Sequence, residues 1–120
     1  MLRLNKLDLI VRDVPGATAF FRDVLGLTVN YAEERFAELD AGGGFVLMLS
    51  PEAMVPTQPA AGTILHFEVE NVEQALESAR SRGATVLLEL TRTDWGWESA
   101  MIAGPEGSVI DLYRPISNPT

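Results

Sequence analysis

Two stretches of this chain repeat one pattern of apolar, capping and glycine residues, and the repeat narrows the possible folds more than any single motif. The first copy runs from Leu7 to Val11, through Asp13-Val14, into a helical spacing that ends Leu25-Gly26-Leu27. The second runs from Leu65 to Val69, through Asn71-Val72, into a helical spacing that ends Arg82-Gly83-Ala84. Val11 corresponds to Val69, Asp13 to Asn71, Val14 to Val72, Ala17 to Ala75 and Arg22 to Arg80. After a one-residue deletion Gly26 corresponds to Gly83 and Val29 to Val86. A chain of 120 residues is the size of one domain. Two copies of a small unit inside it are expected to share a core and can enclose a site.

Local patterns give each copy the same element order. Residues Leu4 to Arg12 alternate, with Leu7, Leu9 and Val11 on one face of a strand. Asp13 suits a helix cap and Pro15 a first turn, after which Ala17, Phe20, Phe21, Val24 and Leu25 recur at helical spacing up to Gly26. Thr28–Tyr31 reads as a short strand, and Phe36–Asp40 with Phe45–Ser50 as a hairpin around Gly42-Gly43-Gly44. No helix follows those glycines, so they are a turn and not a phosphate loop. In the second copy, Thr63–Val69 is a strand with Ile64, His66 and Glu68 on one face. Asn71 and Gln74 form a capping-box pattern, and Val72, Ala75, Leu76 and Ala79 a buried stripe. Strands are expected at Thr85–Leu90, Glu98–Ala103 and Ser108–Tyr113, the last two joined by a turn at Gly104-Pro105-Glu106-Gly107. The expected class is α+β: two βαβββ modules, 4–50 and 63–114, within one domain of 1–120. The segment 51–62, with Pro51, Pro56 and Pro59, is the linker between them.

Composition removes several classes of function. The formal charge is −8, from 17 acidic and 9 basic residues, which argues against nucleic acid and is compatible with a cationic ligand. There is no cysteine, hence no disulfide or thiolate metal site, and a reducing compartment, the cytoplasm, is expected. The first residues do not read as a signal peptide, and no apolar run approaches the roughly 20 residues that span a bilayer. Nucleophilic catalysis has no support, because cysteine is absent, His66 is the one histidine and no serine nucleophile motif occurs.

Three sets of residues together resemble the vicinal oxygen chelate superfamily, which includes glyoxalases, bleomycin-resistance proteins and extradiol dioxygenases. They are Leu9-Ile-Val-Arg-Asp13 with Phe20-Phe-Arg-Asp-Val-Leu-Gly-Leu27, then His66-Phe-Glu-Val-Glu-Asn-Val72, then Asp94-Trp-Gly96 followed by Gly104-Pro-Glu-Gly-Ser-Val-Ile-Asp-Leu-Tyr113. The resemblance covers nearly the whole chain. It implies paired βαβββ modules whose curved mixed sheets surround a cup, with helices on the outer face. It also implies a homodimer, with sites built between modules.

The family's metal enzymes place ligands at positions that here hold Lys6, Met48, Ile64 and Asp111. Of these only Asp111 suits a hard cation, because lysine stays protonated at neutral pH and isoleucine and methionine offer little to such an ion. The usual metal triad is therefore not expected, and neither is a cofactor. Residues two apart share a strand face, so Asp8 and His66, which are repeat-equivalent, could join Asp111 in a displaced site for a divalent metal. Alternatively, Lys6 could stand where the cation stood and pair with Asp111. Trp95 and Trp97 flank a glycine on the loop entering the next-to-last strand, and a similar Trp-Gly loop borders the drug groove of bleomycin-resistance proteins. Aromatic faces there suit planar or cationic ligands. Tyr113 and Tyr31 could add hydroxyl donors.

The function expected from these residues is binding of a small cationic or aromatic molecule in a cup without the metal triad, as in the bleomycin-resistance branch. Lys6, Asp8, Met48, Ile64, His66, Glu68, Trp95, Trp97, Asp111 and Tyr113 would line it. One alternative is a glyoxalase- or dioxygenase-like lyase or oxidoreductase. It would use a shifted metal at Asp8, His66 and Asp111, or metal-free acid–base chemistry with His66 and Asp111 as catalytic groups. The other is a non-catalytic dimerisation module.

Overall fold

The computed structural model describes residues 3–54, 56, 58 and 60–116. Pro59 of the expected linker lies outside the described residues. The chain divides into two units, 1–61 and 62–120. Both are built to one plan: a strand, a helix, then three strands. The fold is α+β, with a four-stranded mixed sheet in each unit and neither sheet closed.

In the first unit β1 (Lys6–Ile10) leads into α1 (Val14–Ala19), and β2 (Thr28–Ala32), β3 (Ala37–Asp40) and β4 (Val46–Ser50) follow. The sheet order is β1-β4-β3-β2. In the second unit β5 (Ile64–Glu68) leads into α2 (Val72–Ser81), then β6 (Val86–Arg92), β7 (Trp97–Ala103) and β8 (Val109–Pro115). That sheet runs β5-β8-β7-β6, the same order one module later. The first strand of each unit pairs in parallel with the last, and the remaining pairs are antiparallel.

The repeat shows again in the helix ends. Asp13 accepts a hydrogen bond from the Gly16 backbone at 2.9 Å, and Asn71 accepts one from Gln74 at 3.0 Å, so both caps satisfy a helix N–H that has no intrahelical partner. Gly26 and Gly83 close the two helical segments with φ of 78° and 94°, the left-handed region that glycine reaches without a steric cost. The two helices differ in the middle. After Ala19 the first passes into a wider, π-helical stretch at Phe20–Val24, which the 3.6-residue pattern did not anticipate.

Each helix packs on one face of its own sheet. Period-two alternation decides which side chains meet it. In the first unit Leu9, Leu39, Leu47 and Leu49 are buried together with Val14, Ala17 and Phe21. In the second, Ala100, Ile102, Ile110 and Leu112 are buried together with Val72, Leu76 and Ala79. The opposite, helix-free face of each sheet carries the intervening residues, among them Lys6, Asp8 and Met48 in the first unit. Among the described residues no helix is long and apolar enough to cross a membrane.

Substituting Asn71→Ala removes the α2 cap and is expected to lower stability by about 1 kcal/mol. Ile110→Ala, at a fully buried position, is expected to cost about 2–5 kcal/mol. Urea denaturation of the two variants against the wild type checks both values; equal, negligible losses would contradict the assigned core.

Candidate functional site

Parallel pairing of β5 with β8 puts His66 directly beside Asp111, and Ile64 beside Val109. The equivalent pairing in the first unit sets Asp8 beside Met48 and Lys6 beside Val46. The two modules thus share a lattice of positions but fill it differently. His66 and Asp111 need no displacement to meet: they are registered neighbours. At the corresponding place the first module has a carboxylate beside a thioether.

Asp111 is 1% exposed, on the helix-free face of the second sheet. A buried carboxylate is costly unless its oxygens are bonded. Here both are. His66 Nδ1 lies 2.7 Å from Oδ2, and the Ser99 hydroxyl donates to Oδ1 at 2.5 Å. Ser99 was not among the expected site residues. Its signal was available in the alternation of β7, which places Ser99 between Trp97 and Met101 on the face of Asp111. A lone serine carries little weight before strand pairing is known. His66 bridges outward from the buried acid, its side chain 47% exposed against 2% for that of Asp111.

Aromatic rings adjoin the His66 end of this pair. Trp97 at the start of β7 stacks on Tyr113 of β8, with centroids 4.3 Å apart and planes 27° from parallel. The imidazole of His66 meets Trp97 edge-on at 6.2 Å and Tyr113 edge-on at 6.1 Å. Trp95 meets Trp97 edge-on at 6.5 Å and is 68% exposed. The turn that presents both tryptophans is held tightly. Thr93 N–H donates to the Trp97 carbonyl at 2.8 Å, Trp97 N–H donates to the Thr93 hydroxyl at 2.9 Å, and the Ile116 N–H donates to the Gly96 carbonyl at 2.8 Å. Gly96 has φ 91°, so a side chain there would strain the turn. Of the two tryptophans, Trp97 is the packed one and Trp95 the outer one.

The other expected residues are placed as follows. Ile64 is 48% exposed, one alternation before His66. Glu68 lies opposite Tyr113 at the far end of β5 and lines a shallow cleft of about 500 Å³ with Val69, Glu70, Arg114 and Pro115. A second cleft, of about 350 Å³, is edged by Glu70, Glu73, Glu98 and Arg114 near the start of α2 and contains no aromatic ring. Lys6, Asp8 and Met48 belong to the first module. So does Tyr31, whose hydroxyl donates to Glu33 at 2.6 Å, a bond that raises the phenol above its ordinary range.

A divalent ion needs several oxygen or imidazole donors converging on one point. Within either module, among the described residues, no three His, Asp or Glu side chains gather. The second module supplies His66 and Asp111, and both oxygens of Asp111 already accept hydrogen bonds from protein groups. This donor set does not fit a divalent ion. What the pair can do is fix a tautomer. A carboxylate with a hydroxyl donor on one oxygen accepts from the ring on the other, which places the imidazole proton on Nδ1. Nitrogen NMR on the neutral side chain is expected to show His66 protonated at Nδ1, and Asp111→Ala is expected to shift it toward the Nε2–H form usual for free imidazole. An Nε2–H wild type would contradict the assigned bond.

Comparison with known proteins agrees with this architecture. A solved structure described as a conserved domain protein is 40% identical, covers 95% of this chain and 99% of its own, and superposes with a TM-score of 0.86. The antibiotic binding protein TnmS3 from Streptomyces sp. CB03234 is 23% identical over 96% of this chain and 97% of its own, with a TM-score of 0.80. Lactoylglutathione lyase from Agrobacterium tumefaciens is 20% identical over 94% and 93%, with a TM-score of 0.76. These two share the fold. The profile of the Glyoxalase/Bleomycin resistance protein/Dioxygenase superfamily matches residues 3–112, nearly the whole chain, and the chain belongs to that superfamily.

Proposed function

We propose that this protein binds a small planar aromatic molecule on the helix-free face of its second module, without a metal. The observation that carries the reading is the continuous set of rings formed by Trp95, Trp97, Tyr113 and His66, the last hydrogen-bonded to buried Asp111. Aromatic faces of this kind favour flat partners by offset or edge-on stacking. TnmS3, a protein of the same fold, is an antibiotic binding protein, which supports a role for this chain in holding a small molecule. Asp111 spends its charge on His66 and Ser99, so an aromatic ligand is better supported than a cationic one. Ile64 and Glu68 would border the bound molecule.

The alternative reading is an enzyme that uses the His66–Asp111 pair for metal-free proton transfer, and it rests on the same hydrogen bond. We assign the chain to a homodimer, from the habit of the family. The assigned compartment is the cytoplasm, where a chain without cysteine needs no oxidising environment.

Intrinsic tryptophan fluorescence tests the binding reading. Flat aromatic compounds such as anthraquinone sulfonate are expected to quench it saturably, and Trp97→Ala to weaken binding by about tenfold or more. The absence of any saturable response across a panel of planar compounds would refute it. Metal analysis of protein purified without chelator is expected to find no stoichiometric ion. Stoichiometric Ni, Zn, Mn or Fe that vanishes in His66→Ala would replace this reading with a metalloenzyme.

A further inference from the structure

The aromatic face has a built-in polarity that narrows its ligand further, on the premise that the reading above is right. We infer that the bound aromatic molecule carries a ring hydroxyl, and that Nε2 of His66 accepts its hydrogen bond. Nδ1 is committed to Asp111 at 2.7 Å, and the other Asp111 oxygen is taken by Ser99. A neutral imidazole whose proton is held on Nδ1 presents a lone pair at Nε2. The pair has a buried end, Asp111, and an exposed end, His66. Trp97 and Tyr113 both meet the imidazole edge-on within 6.2 Å, so the acceptor stands beside the stacking surface and not apart from it.

A phenolic hydroxyl matches this arrangement: one donor for one acceptor, attached to a ring that stacks. An ammonium brings three donors and leaves two of them to find other partners. A methyl ether of the same phenol keeps the ring and loses the donor. A site with a hydrogen-bonding group set beside an apolar surface discriminates strongly on this point, because the ether leaves the acceptor desolvated and unpaired.

The test uses three probes of one shape on the full chain, by equilibrium dialysis: beta-naphthol, its methyl ether and beta-naphthylmethylamine. The naphthol is expected to bind about tenfold tighter than the ether, or more. In His66→Phe, which keeps a ring beside Trp97, the preference for naphthol over ether is expected to vanish. Nitrogen NMR on the unaltered protein gives a readout that does not depend on the variant folding: the Nε2 resonance is expected to move with naphthol and not with ether. Equal binding of naphthol and ether, a preference that survives His66→Phe, or tighter binding of the amine would each overturn the hydroxyl inference and leave aromatic binding standing. No binding of any probe, with no shift at Nε2, would overturn both.

Discussion

Parallel pairing of β5 with β8 brings together two residues 45 positions apart in the chain, and the candidate site is built outward from that pair. Asp111 sits among apolar strands with almost no access to water, a position tolerable for a carboxylate only because its two oxygens accept hydrogen bonds from different strands. Remove the registered neighbour on β5 or the diagonal hydroxyl on β7 and the acid would be left with an unmet lone pair. The same registration turns His66 outward, edge-on to the stacked rings of Trp97 and Tyr113. One packing constraint therefore sets the protonation geometry of the histidine and the placement of the aromatic surface together.

Comparison of the two modules separates what the architecture requires from what the site requires. Both have a capped helix, a left-handed glycine at its end, leucine or isoleucine on the helix side of the central strands and the same strand order. Those features bury one sheet face and belong to the fold. On the other face the modules diverge: Asp8 beside Met48 in one, His66 beside Asp111 in the other. Burial does not demand the histidine–aspartate pair, since the first module folds without it. The pair is therefore a feature of that face and not of the shared fold.

Much of this was legible in the sequence, for reasons of periodicity. The two-residue alternation around Leu9 and Ile110 and the capping residues Asp13 and Asn71 report on local backbone geometry, which depends on near neighbours in the chain. The repeat then implied that both halves obey one plan. The π-helical stretch at Phe20–Val24 was not legible, because widening a helix by one residue leaves an apolar stripe that still resembles 3.6-residue spacing. The part played by Ser99 is not legible for a different reason: it exists only through a partner on another strand.

The sequence by itself determined the class of fold, the family, and the set of strand faces on which His66, Trp97, Asp111 and Tyr113 would lie, because alternation and capping are written locally. Only the tertiary structure decided which of those residues touch. Strand register is a property of pairing between distant segments. It made His66 and Asp111 immediate neighbours, gave Ser99 to the second carboxylate oxygen, and stacked Trp97 on Tyr113 while leaving Trp95 outside.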